Sequence, residues 1–121
     1  MTGSTAHRRP VARLRTGGAS PVLVVLALAV ALMARDRSGP DLCLVMAPYP
    51  MVDDRNETPS SHDVVDTGAW DRSTNVEAWG WYLGGRQADA YAAPARATDL
   101  AGLPPTYIDV GTVDLFLDED V

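Results

Sequence analysis

A few side chains in this sequence could take part in chemistry. Asp114 lies just past the apolar segment Thr106-Tyr107-Ile108-Asp109-Val110 and the break at Gly111, with Asp118 and Glu119 shortly after it. In an open parallel sheet, functional groups collect at the carboxyl ends of strands, where loops converge and the next helix points its amino end at the same place. Spacing alone leaves two readings of Asp114: a functional acid in such a loop, or a solvated carboxylate at a helix start. Ser20 offers a hydroxyl, and its place directly ahead of Pro21 suits a helix N-cap. Trp79 and Trp81, with Tyr82, form an aromatic cluster that either packs against the rest of the domain or walls an acyl or alcohol pocket. His7 and His62 are the only histidines and lie far apart, so no metal site is expected. The single cysteine, Cys43, excludes an intrachain disulfide or thiolate cluster, and within Leu42-Cys43-Leu44-Val45-Met46 it reads as a small buried hydrophobe. No cofactor is implied.

These residues need elements to position them. Val22 to Met33 runs twelve residues without a polar side chain. Pro21 at the first helical position and the Ala, Leu and Met content predict a helix, apolar all round as an inner layer beside a sheet requires. Ser38-Gly39-Pro40 stops it, and Leu42 to Ala47 reads as a strand buried on both faces, ended by Pro48 and Pro50. Residues 51–68 read as a long surface loop. Thr74-Asn75 can cap a helix running from Val76 to Leu83, with Gly84-Gly85 as its stop. After a small-residue linker, the Leu103-Pro104-Pro105 turn enters a second strand over 106–110, and the acidic run from Asp114 to Asp120 begins another helix. Helix, strand, helix, strand in that order predicts a parallel α/β sheet.

Length and charge narrow the classes. At 121 residues there is room for one small domain. An intact sheet of this architecture with its covering helices takes over ~200 residues, so an incomplete one is expected. Residues 1–40 hold six Arg against Asp36 alone, a net +5, whereas residues 41–121 carry four Arg and fifteen acids, a net −11, and lysine is absent. An acidic body disfavours nucleic acid, whose phosphates need clustered cations. The apolar run falls short of the roughly 20 residues that span a bilayer, so a membrane partner is not expected. Residues 1–19 read as a flexible leader.

The segment from Ala92-Ala93-Pro94 through Leu103-Pro104-Pro105-Thr106-Tyr107-Ile108 to Asp114-Leu115-Phe116-Leu117-Asp118-Glu119 resembles the acid-bearing region of the hormone-sensitive-lipase-like esterases of the α/β-hydrolase fold. In that family a Leu-Pro-Pro turn leads into a strand, and the first Asp of an Asp-x-x-x-Asp-Glu run is the triad acid. The resemblance continues upstream in Tyr49-Pro50-Met51-Val52-Asp53-Asp54-Arg55-Asn56, in Trp70-Asp71-Arg72 through Trp79-Gly80-Trp81, and in Ala31-Leu32-Met33-Ala34-Arg35-Asp36-Arg37. It implies hydrolysis of small-molecule carboxylic esters by Ser-His-Asp acyl transfer without a cofactor. Asp114 would be the acid that orients the histidine, and Asp118 and Glu119 the structural acids of the run.

The departures bear on competence. The family's nucleophile elbow is Gly-x-Ser-x-Gly, and this chain has Gly18-Ala19-Ser20-Pro21-Val22. Ser20 aligns with the nucleophile, but Pro21 lacks the N–H that the oxyanion hole takes from the next residue; losing such a donor costs roughly 2.7–4 kcal/mol of transition-state stabilisation. The N-cap reading of Ser20 is therefore preferred. A His-Gly-Gly-Gly oxyanion segment is absent from the sequence, and His62 precedes the acid, against the order Ser, Asp, His. The expectation is a cytoplasmic esterase-family fragment, inactive alone, with a partial α/β-hydrolase domain over 20–121. The alternative is an exported or membrane-associated small binding module with residues 8–34 as signal or anchor. Sheet edges left open would allow self-association.

Overall fold

The computed structural model describes residues 21–68 and 70–121. Ser20 and the leader over 1–19 lie outside the described residues. Helix α1 spans Pro21–Asp36, with proline where its missing N–H is harmless. Its side chains Val24, Val25, Ala27, Ala29, Ala31 and Leu32 are buried. Arg35 extends from its last turn to the carbonyls of Asp99 (2.7 Å) and Ala101 (3.1 Å), tying α1 to the turn ahead of the second strand.

Strand β1, Val45–Pro48, pairs in parallel with β2, Thr106–Asp109, placing Val45 opposite Thr106 and Pro48 opposite Asp109. The order helix, strand, helix, strand thus closes into the expected parallel pair with flanking helices, an incomplete sheet of two strands. The expectation of a first strand buried on both faces is corrected. Val45 packs against Ala27 and Ala31 of α1 and Ala47 is buried, whereas Leu44, Met46 and Tyr107 are about half exposed. Helix α1 covers one face of β1 only, side chains alternate between faces along a strand, and all four residues of β2 are exposed. For the same reason α1 is not covered all round, since Leu23 and Leu26 are exposed. Cys43, expected to be buried, is exposed in the bend before β1.

The segment after β1 also differs from the surface loop expected. It contains a short helix α2, Pro59–Asp63, capped by Thr58 with proline at the helix start. Met51, Val52, Asp53, Asn56, Ser60 and Ser61 in it are all buried. A polar loop can be buried only when its polar groups find partners, and here they do. Both carboxylate oxygens of Asp53 accept from Arg55 at 2.7 Å. Asn56 takes a left-handed φ of 55°, which asparagine tolerates, and its side-chain oxygen accepts from Asn75. Arg72 donates to the carbonyls of Asn56 (2.8 Å) and Ser61 (3.0 Å).

Helix α3, Arg72–Leu83, begins earlier than Thr74-Asn75 predicted, because Asp71 supplies the cap by accepting from the Thr74 N–H at 2.9 Å. Gly84, at φ 56°, ends it in the left-handed conformation as expected. The small-residue linker holds a single 3₁₀ turn at Pro94–Arg96. Beyond β2, the acidic run forms only one turn of helix, α4, at Leu117–Asp120. Met51, Trp79, Ala93, Leu115 and Phe116 pack together as the core beneath this turn.

Candidate active site

The carboxyl ends of β1 and β2 lie side by side because the strands are parallel, so the loops that leave them meet. Tyr49 continues the ladder, its N–H donating to the Asp109 carbonyl at 2.7 Å. From that point one chain turns into the Met51–Asp53 loop and the other into the Gly111–Asp114 turn, closed by the Asp114 N–H on the Gly111 carbonyl at 3.1 Å. Asp114 is half-buried at the head of this turn. Its Oδ1 accepts from the Phe116 N–H at 3.0 Å, while Oδ2 accepts no hydrogen bond among the described residues. Leu115 and Phe116 drop into the core directly after it, which anchors the backbone that presents the carboxylate.

The two acids that follow are held by the neighbouring loop. Asp118 Oδ2 accepts from the Ser60 N–H (2.6 Å), the Asp118 N–H donates back to Ser60 Oγ (3.1 Å), and Ser60 Oγ donates to the Leu115 carbonyl (2.8 Å). Glu119 Oε1 accepts from the N–H groups of Val52 (2.8 Å) and Asp53 (3.4 Å). The Asp114 turn is therefore clamped at two points by the segment leaving β1. Ser60 was not evident as part of this site in the sequence; the Thr58-Pro59 helix start that places it was the available signal.

Burial lifts Glu119 to about 7; the Val52 and Asp53 amides pull it down, and the charges of Asp53 and Asp114 push it up. Burial likewise lifts Asp120 to about 8, reinforced by Glu119, Asp114 and Asp109. Burial also raises Asp53, but its hydrogen bonds and ion pair with Arg55 outweigh this and hold it below the ordinary carboxylate range. The site thus mixes acids that keep their protons near neutrality with acids that do not.

Among the described residues, no other candidate hydrogen-bonds Asp114. His62 is exposed on α2. Trp79 is buried in the core, its ring tilted against Tyr82 at 5.8 Å between centroids, while Trp81 is 77% exposed on the surface. A cavity of about 530 Å³ lies between α1 and β2, lined by Leu28, Leu32, Val52, Leu103, Ile108 and Glu119 among others, and neither tryptophan borders it. Among the described residues, no set of three or more His, Cys, Asp or Glu side chains is arranged to hold a metal. No helix among them is long and apolar enough to cross a membrane.

Residues 24–121 match a family model described as the alpha/beta hydrolase fold. No curated protein matches the chain. Among solved structures, the chain is similar to the esterase LipW from Mycobacterium marinum, with 35% identity and a TM-score of 0.76 over 81% of this chain and 31% of that one. It is similar to a bacterial heroin esterase with 38% identity and a TM-score of 0.77 over 80% of this chain and 33% of that one. It is also similar to EstE5, in a crystal soaked with p-nitrophenyl butyrate, with 30% identity and a TM-score of 0.70 over 79% and 32%. The chain spans about a third of the length of each. The match begins inside the apolar run, and α1 packs on the sheet through that run, so nothing supports reading residues 8–34 as the signal or anchor of a binding module. By the family match over 24–121 and the likeness to these esterases, the chain belongs to the α/β-hydrolase fold family, in its hormone-sensitive-lipase-like branch.

Proposed function

We propose that residues 24–121 are the acid-bearing part of a serine-type carboxylic ester hydrolase, with Asp114 as triad acid, and that these 121 residues by themselves do not turn over esters. The observation that carries the reading is the setting of Asp114 at the carboxyl end of β2. One carboxylate oxygen is fixed by the Phe116 N–H and the other is left to accept from an imidazole. Activating a seryl hydroxyl needs a base, and His62, the histidine among the described residues, is exposed on α2. Pro21 after Ser20 supplies no oxyanion N–H. The esterase names of the solved relatives, and the p-nitrophenyl butyrate soaked into EstE5, favour short-chain carboxylic esters as the substrate class.

The test has two arms. A chimera carrying residues 24–121 in place of the matching segment of LipW is expected to hydrolyse p-nitrophenyl butyrate and to lose about 10⁴-fold in turnover on Asp114→Asn. The isolated chain and its Asp114→Asn and Ser20→Ala variants are expected to show only the buffer rate. A chimera indifferent to Asp114→Asn would remove the acid role. An isolated chain whose activity disappears with Ser20→Ala would show that it is competent alone.

A further inference from the structure

Three carboxyl oxygens at the α4 turn are buried without a hydrogen-bond donor among the described residues: Glu119 Oε2 and both oxygens of Asp120. Burying an ionised carboxylate without donors is strongly unfavourable, and the usual escape is to keep the proton. The groups that face this pair are themselves acids: Asp53 on the loop leaving β1, Asp109 at the end of β2 and Asp114 in the turn. Arg55 is committed to both oxygens of Asp53, and Arg96 to both of Asp54. Helix α2, which packs against α4, carries His62 and Asp63 on its exposed side. The stretch of α1 that borders Glu119 across the cavity is apolar, with Leu28 and Leu32. Among the described residues, no counter-charge therefore awaits either acid if it ionises.

We infer that Glu119 and Asp120 form a proton-held latch, which keeps the α4 turn docked on the Val52 and Asp53 amides and loosens the turn bearing Asp114 when its protons are lost. Neutral Glu119 can offer Oε1 as a carbonyl oxygen to both amides, at 2.8 and 3.4 Å, while Oε2 carries the proton. Ionisation of both neighbours would place two negative charges side by side in a pocket already facing Asp53, Asp109 and Asp114. Opening the turn to water relieves this repulsion. Both acids are raised in the folded chain, so the stabilisation is fully present below their ordinary values of 4.5 and 3.8 and is lost as the pH rises through about 7 and about 8. The latch stands on these contacts alone and does not depend on Asp114 being a catalytic acid.

Backbone hydrogen exchange on the whole chain, corrected for intrinsic rates, reads the latch from about pH 5 to about 9. Protection at Val52, Leu115 and Phe116 is expected to fall by about a hundredfold per pH unit over about pH 5 to 7, the slope of two released protons, and by about tenfold from about 7 to 8, where only Asp120 still holds its proton in the closed turn. The double variant Glu119→Gln, Asp120→Asn keeps the shapes and the acceptor oxygens without a titrating proton, and its profile should be flat. A flat wild-type profile, or an unchanged slope in the double variant, would overturn the latch. If the double variant does not fold, Glu119→Gln alone must shift the wild-type transition for the latch to stand.

Discussion

The carboxyl ends of the β1–β2 ladder and its outer face are finished in opposite ways. At the carboxyl ends, the Met51–Ser61 segment and the α4 turn bury one another. Ser60 bridges Asp118 and Leu115, Glu119 holds two amides, and Asn56, Asn75 and Arg72 satisfy the loop from behind. Across the strands themselves, the face carrying Leu44, Met46 and Tyr107 has no covering layer among the described residues. The same two strands therefore support a region specified by paired polar groups and a region of open apolar surface. The difference shows that the surroundings of Asp114 are assembled locally, by segments adjacent in the sheet, whereas the outer face of the sheet draws nothing from the helices described.

This contrast can be broken most forcefully at Trp79, the large side chain beneath the Asp114 turn. Trp79→Ala should destabilise the chain by about 3–5 kcal/mol in urea unfolding, whereas Trp81→Ala on the same helix should stay within about 0.5 kcal/mol. A smaller effect is expected from Asn75→Ala, which leaves the buried Asn56 side-chain oxygen and the Trp70 indole N–H without their partner. The loss should be about 1–3 kcal/mol, and it would show as faster exchange across residues 52–61. The smallest effect on stability should come from the open face: Met46→Lys with Tyr107→Lys is expected to change unfolding free energy by less than about 1 kcal/mol. Exposed apolar strands favour association, so sedimentation should show the wild-type chain self-associating and the double variant shifted to the smaller species. Equal sedimentation of the two would mean that this face is not where copies meet.

Much of the frame was legible in the residues. Pro21 and the apolar run located α1, the short apolar segments located both strands to within a few residues, and Gly84 marked the end of α3, because each signal acts through local backbone preference. The Asp-x-x-x-Asp-Glu run pointed to Asp114. The loop after β1 was misread as surface because its polar composition is the usual mark of solvent, and only partners distant in sequence reveal that Asp53, Asn56, Ser60 and Ser61 are satisfied inside. Trp79 and Trp81 read as one aromatic cluster, but on a helix residues two apart do not face the same way. One packs in the core and the other faces solvent.

What the sequence determined by itself is therefore α1, α3 and the two strands, their parallel order and the position of the acid, since propensity, capping and hydrophobic run length operate over a few residues. What only the tertiary structure decided is the clamp around that acid. The Ser60–Asp118 exchange spans 58 residues and the Val52–Glu119 bond 67. Contacts at that separation exist only once β1 and β2 have paired and brought their outgoing loops together, and pairing at long range leaves no local signature in the chain.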